Sequence, residues 1–196
     1  MDLHNLPNHP IILFQNWMEL AIEKEKEAIA FVLSTVSKDA IPSSRVLLLR
    51  DFDEDGFTFF TNYKSAKSKN IDSNNKVALN FFWPNSQRQI RIVGDAVKIP
   101  EKESAQYFSS RPRESQIGSW ISEQSKAIDL HFDFTADMQK ISSQFEGKAV
   151  ERPKHWGGYK VNPLSLEFWQ GRPFRLHQRI KYSICKKKWK IERLAP

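Results

Sequence analysis

The amino-acid sequence predicts an α+β fold built around an antiparallel β-barrel. Three observations point there. At least six short β-rich runs follow one another, helix-forming segments are inserted among them, and 40% of the 196 residues are hydrophobic, with 14 Phe and 6 Trp. Short sequential strands pair most simply with their neighbours, and closing such a sheet removes its edges. A chain of this length supports one substantial core. Residues 1–196 are therefore read as a single domain, with an N-terminal segment and helix over 1–28 and C-terminal strands over 163–196.

The elements follow in order. PIILFQNWMELAIEKEKEA, residues 10–28, sets Leu13, Trp17, Leu20 and Ala21 at helical spacing and predicts an amphipathic helix. IAFVLSTVS (29–37) and RVLLLRDF (45–52) are the first predicted strands, and DEDG (53–56) is a tight turn into FTFFTN (57–62). SAKSKNIDSNN (65–75) predicts a short helix and a polar loop. VALNFFW (77–83) and RQIRIVGDAVKI (88–99) predict a strand pair around Pro84-Asn85-Ser86. EKESAQYFSS (101–110) predicts a helix with Ala105 and Phe108 on its inner side, and DFTADMQKISSQF (133–145) predicts another. SLEFWQ (165–170), FRLHQRIKYSI (174–184) and KWKIERL (188–194) return to strands, with the lysines of CKKK in a solvated hairpin turn between the last two.

The formal net charge is +7, and the excess is concentrated: from Arg172 onward nine Lys or Arg face one acid, Glu192. Such a balance suits nucleic acid, an anionic membrane surface or a phosphorylated small molecule, and charge alone does not choose among them. The single cysteine, Cys185, excludes an intrachain disulfide framework and a cysteine zinc cluster; a buried or inert thiol is expected. His4, His9, His131, His155 and His177 fall at no metal-ligand spacing, so no metal centre is expected. No apolar run is long enough to span a bilayer, and MDLHNLPNHP lacks the basic start and apolar stretch of a signal peptide, which predicts a cytoplasmic protein. Dinucleotide, phosphate-loop, nucleophile-elbow and H-E-x-x-H signatures are all missing. A mononucleotide held by side chains remains open.

One stretch stands out. SSRPRESQIGSW, residues 109–120, gathers two arginines, four serines and a glutamine around one proline and one glycine. A solvated loop could hold this mixture, and the same donors converging from one turn would also suit an anionic group such as a phosphate. Taken in order, SRVLLLR, FFTNYKSAK, RQIRIVG, YFSSRPRESQIGSW, WGGY, EFWQG, FRLHQR and WKIERLAP resemble the pyridoxamine 5′-phosphate oxidase family, flavoenzymes that make pyridoxal 5′-phosphate. The resemblance runs from about residue 11 to the end of the chain.

It implies an FMN-binding split β-barrel that works as a homodimer, with FMN bound between the subunits. The FMN contacts implied are Arg45, Val46, Leu47, Leu48, Leu49, Arg50, Phe60, Thr61, Lys67, Gln89, Gln124, Ser125, Trp169 and Arg179. Arg45 and Lys67 suit the FMN phosphate; Gln89 and Gln124 suit the uncharged flavin ring. Tyr107, Arg111 and Ser115, with Arg50 as a further cation, are implied to bind the substrate phosphate. Arg175 and His177 are implied at the reacting end, on one strand and facing the same side. The implied reaction oxidises pyridoxamine or pyridoxine 5′-phosphate to the aldehyde with O2 as acceptor, giving H2O2, and ammonia from the amine. Neither nucleic acid nor a membrane is an implied partner.

Three positions depart from the family pattern. Arg50 stands where lysine is usual, Ala66 where arginine commonly precedes the lysine, and Gln178 where aspartate is usual. Alternative readings are a split barrel binding a flavin or heme but using another substrate, a basic nucleic-acid-binding barrel, and a carrier of pyridoxal 5′-phosphate.

Overall fold

The computed structural model describes all 196 residues, Met1–Pro196. Helix α1 (Pro10–Lys24) opens with Pro10, whose missing N–H costs nothing in a first turn. It ends at Lys24 rather than Ala28, because Glu25 is extended and its carboxylate accepts from the main-chain N–H of Ser86 at 2.8 Å. The buried stripe includes Leu13, Phe14, Trp17, Met18 and Ala21; Leu20, expected inside, is exposed. Leu13 lies at one margin of the stripe, and the drift of about 20° per seven residues carries Leu20 off it.

The strands are β1 (Ala30–Val36), β2 (Pro42–Leu48), β3 (Asp51–Asp53), β4 (Gly56–Asn62), β5 (Lys76–Trp83), β6 (Arg88–Lys98), β7 (Trp156–Gln170), β8 (Gln178–Cys185) and β9 (Lys188–Leu194). They form one antiparallel sheet in the order β2-β1-β5-β6-β7-β4-β3, with β8 added on β7 and β9 on β8. The expected single strand over 45–52 is in fact two. The N–H of Leu49 still reaches Ile29 O beside β1, whereas that of Arg50 bonds Thr58 O on β4, so the chain changes partner there.

The sheet forks at β7. One edge of this 15-residue strand pairs with β6 over Tyr159–Gln170; the other is shared by β4 over Trp156–Val161 and β8 over Ser165–Gln170. Gly94 faces Pro163 where the register shifts, and a Cβ on Gly94 would collide with Asn162 O. The result is a barrel open on one side, the expected split β-barrel.

Phe14 fills the closed side, meeting Phe52, Phe57 and Phe81 edge-on at 4.9, 4.8 and 5.4 Å between ring centroids. Trp83 is fully buried and donates its indole N–H to Ala28 O at 2.9 Å. Trp83→Phe keeps an aromatic ring but strands that carbonyl, so urea unfolding should show a stability loss of about 1–3 kcal/mol.

A second, smaller core lies under α3 (Glu101–Ser109), α4 (Arg113–Ile121) and α5 (Thr135–Gln144), around Phe108, Ile117, Phe145, Val150 and Trp156. On α3, Ala105 is exposed, and Ser104 lies inside with Phe108 because its hydroxyl accepts from Gly158 N at 3.2 Å. The 109–120 stretch is not mainly a loop. Only Ser110, Arg111 and Pro112 separate α3 from α4, and Gln116 reaches back from α4 to the carbonyls of Phe108, Ser109 and Arg111 at 3.1, 3.2 and 2.9 Å. Phe108 O also accepts from Arg111 N at 3.2 Å, whereas the carbonyls of Ser109 and Arg111 gain from Gln116 a donor that the helix end does not supply. Helix α2 (Ala66–Ser73) forms as expected, and the β8–β9 hairpin turns through Lys186 and Lys187 at φ 49° and 64°. Cys185, expected buried or inert, is exposed, because it is the last residue before that turn. No helix is long and apolar enough to cross a membrane.

Candidate active site

Lys67, on the first turn of α2, is 6% exposed. Its ammonium donates to Thr61 Oγ1 (3.1 Å), Ser65 Oγ (3.2 Å) and Gln124 Oε1 (3.0 Å), all neutral acceptors. Burial, and then the nearby Arg45 guanidinium, lower its pKa to about 8. Arg45 crosses from β2 to β1 and is likewise held by neutral oxygens: Thr35 Oγ1 at 2.8 Å, Ser43 Oγ at 2.7 Å, and the carbonyls of Leu33 and Ser43. Asn70 on α2 ties this cluster together, donating to Thr35 Oγ1 at 3.0 Å. Two neighbouring cations with no carboxylate between them form an arrangement that an anion completes. The donor set fits a phosphate.

A cleft of about 360 Å³ adjoins them, lined among others by Leu47, Phe60, Thr61, Arg111, Ser115, Gln124 and Trp156. Phe60 stacks on Tyr107 at 4.0 Å and on Trp156 at 5.3 Å, giving the cleft an aromatic wall. Over Trp156, at 4.6 Å, lies the Arg111 guanidinium, which also donates to Ser119 Oγ at 2.8 Å. Its pKa is lowered chiefly by burial, with Arg50 a further cation acting on it. Arg50 is exposed, Val46 points to solvent and Leu48 is half-buried. Leu49 packs in the core, so only its main chain is available to a ligand. Ser125 accepts from Ala66 N at 3.2 Å. Gln124, expected at an uncharged ring, joins the cationic end instead, because the Lys67 ammonium claims its oxygen.

The remaining candidates lie elsewhere. Gln89, Trp169 and Arg179 face one another across β6, β7 and β8 and form a row on the sheet surface. Glu167 holds Arg179 at 2.8 Å, and the terminal segment holds it through Ala195 O at 3.0 Å. The imidazole of His177 packs on Trp169 at 4.7 Å. Trp156, in the cleft, and Trp169, in the row, stand at opposite ends of β7, up to about 40 Å apart at ~3.3 Å per residue. Within one chain these candidates fall into two groups, one toward each end of β7.

Arg175 and His177 do not share a strand. Pro173–Arg175 form a 3₁₀ turn, with Phe174 and Arg175 at φ 59° and 61°, and β8 begins only at Gln178. The left-handed backbone of Phe174 and Arg175 is incompatible with an extended strand, which keeps β8 from starting earlier. Arg175 is exposed, whereas His177 is half-buried on Trp169.

Sequence reasoning missed Thr35, Ser43 and Asn70 as supports of Arg45. The legible signal was a pair of hydroxyl residues directly opposite across β1 and β2. Trp156 packs in the smaller core and also carries the Arg111 guanidinium.

Residues 18–145 match the family described as Pyridoxamine 5′-phosphate oxidase, and residues 156–196 match the Pyridoxine 5′-phosphate oxidase C-terminal dimerisation region. A pyridoxine/pyridoxamine 5′-phosphate oxidase of Christiangramia forsetii is 44% identical over 98% of this chain and 91% of its own. The namesake from Flavobacterium johnsoniae is 45% identical over 97% of this chain and 91% of its own. Among solved structures, PhzG from Burkholderia lata, in complex with tetrahydrophenazine-1-carboxylic acid, aligns with a TM-score of 0.92 at 28% identity, covering 98% of this chain and 95% of that one. A pyridoxamine 5′-phosphate oxidase-related, FMN binding protein from Nostoc punctiforme aligns at TM-score 0.76 and 16% identity, over 93% of this chain and 97% of that one, which supports the fold.

Proposed function

The chain belongs to the pyridoxamine 5′-phosphate oxidase family, and from that premise we propose that it oxidises pyridoxamine or pyridoxine 5′-phosphate to pyridoxal 5′-phosphate with FMN and O2, releasing H2O2, and ammonia from the amine. The observation that carries the reading is Lys67: a buried ammonium beside Arg45, with only neutral partners, at the edge of an aromatic-walled cleft. Both cations would hold the FMN phosphate, with Thr61, Gln124 and Ser125 around them. Bound FMN would supply the two-electron acceptor for this oxidation, with O2 as the final acceptor.

The protein's own contribution is positioning. Arg111, fixed in orientation by Trp156 and Ser119, would clamp the substrate phosphate with Tyr107, Ser115 and Arg50. That grip lies away from the reacting carbon, so its binding energy serves orientation. Gln89, Trp169, Arg179, Arg175 and His177 would come from the second subunit of a homodimer, since the far end of β7 is out of reach of the same chain's cleft. The C-terminal dimerisation match supports that assembly. The whole chain would act as one FMN-binding domain.

Ala66 is exposed at the start of α2, beside the cationic cluster. Ala66→Arg adds a donor to phosphate and should tighten FMN binding about tenfold, read by quenching of flavin fluorescence. The pH dependence follows from Lys67. Phosphate favours the charged amine and raises its pKa above the value of about 8 in the free protein. FMN affinity is therefore level from pH 7 to about 8 and weakens by up to tenfold per pH unit above that, until the bound pKa is reached. In Lys67→Arg the decline should vanish.

Anaerobic addition of pyridoxine 5′-phosphate to the FMN-loaded protein tests the function. Bleaching of the flavin that reverses on admitting air, with peroxide formed, is expected. A flavin that stays oxidised with both B6 phosphates but is reduced by tetrahydrophenazine-1-carboxylic acid, the ligand of the PhzG structure, would move the reading to that substrate.

A further inference from the structure

The segment from Arg172 to Gln178 contains two successive non-glycine residues in left-handed backbone, Phe174 and Arg175. Each such residue costs roughly 1–2 kcal/mol, so the turn needs an external hold. Arg172 provides it twice. Its main-chain N–H donates to His177 Nδ1 at 3.2 Å, and its guanidinium donates through Nε and Nη2 to Gln178 Oε1 at 3.3 and 3.0 Å.

The first bond has a chemical consequence. A main-chain N–H can only donate, so Nδ1 must be the accepting, unprotonated nitrogen, and the neutral imidazole then carries its proton on Nε2. Packing on Trp169 at 4.7 Å restrains the ring further. We infer that Arg172 is a positioning residue, anchored on Gln178, that sets His177 as an Nε2–H hydrogen-bond donor toward the polar substituent of the bound substrate. This rests on the oxidase reading above. It also gives Gln178 a role: its amide oxygen receives both guanidinium N–H groups where the family usually has a carboxylate. A donor of this kind orients the substrate oxygen or nitrogen and does not accept the proton lost there.

Two measurements test this. In histidine-¹⁵N-labelled, FMN-loaded protein without substrate, His177, assigned by comparison with His177→Gln, should show an unprotonated Nδ1 and a protonated Nε2; the reverse pattern overturns the inference. In rapid-mixing flavin reduction, His177→Gln keeps a donor near the Nε2 position and should stay within about tenfold of the parent, whereas His177→Ala should lose about 100-fold. Equal losses in the two variants would make His177 a base and overturn the assignment. Arg172→Ala should mix the two tautomers and slow reduction about tenfold, with the FMN dissociation constant unchanged and Arg172→Lys restoring only part of the rate. An Arg172→Ala spectrum identical to that of the parent would remove Arg172 from the role. If the parent flavin is reduced by neither B6 phosphate, the oxidase reading falls, while the nitrogen spectrum still decides the tautomer.

Discussion

Lys67→Met is expected to weaken FMN binding by about tenfold to 150-fold, the equivalent of losing one charged hydrogen bond worth roughly 1.5–3 kcal/mol. The same substitution should leave the apoprotein as stable as before, or raise its stability by about 1–2 kcal/mol. The two effects have one cause. The ammonium is buried against neutral oxygens next to another cation, so in the free protein its charge is a liability, which the lowered pKa of about 8 records. Methionine fills similar volume without charge. Fluorescence titration with FMN and urea unfolding of the apoprotein check the pair, and a stability loss above a few kcal/mol would mean that Lys67 serves the fold instead.

Arg111→Leu should raise KM for pyridoxine 5′-phosphate by about 30-fold or more, in line with the 2–5 kcal/mol at stake when one partner of a hydrogen-bonded charge pair is removed. FMN affinity should hardly change, because Arg111 reaches Ser119 and Trp156 and not the Lys67 cluster. Arg111→Lys should rescue little. A guanidinium lies flat over Trp156 and presents its N–H groups in a fixed fork; an ammonium does neither. Unphosphorylated pyridoxine is the internal control, since a residue that grips phosphate has nothing to lose on a substrate without one. Steady-state rates with both compounds separate a phosphate clamp from a general packing role.

Much of this was legible in the sequence because it rests on local patterns. Strand runs, the DEDG turn and the lysine hairpin follow from alternation and turn chemistry, and the ordered motifs marked the family. What escaped depends on side-chain contacts and backbone angles that residue spacing does not carry. Gln116 satisfies α3 from α4, and so turns an apparent loop into a helix pair. The FRLHQR run looked like strand until Pro173 and two left-handed residues interrupted it. Leu20 fell outside the core through a small angular drift that spacing alone does not weigh. The support of Arg45 by Thr35, Ser43 and Asn70 needed the β1–β2 register and the position of α2 together.

In the proposed composite site, the Lys67–Arg111 cleft of one chain meets the Trp169–His177 row of another. Subunit mixing tests it directly. Lys67→Met disables the cleft, and a double substitution Trp169→Ala, His177→Ala disables the row; each homodimer should be close to inactive in flavin reduction. After joint unfolding and refolding of equal amounts, half the dimers are mixed and each holds one intact site, so about a quarter of parental activity should return. If the mixture stays as inactive as its parts although mixed dimers have formed, both half-sets belong to the same chain and the composite site is wrong.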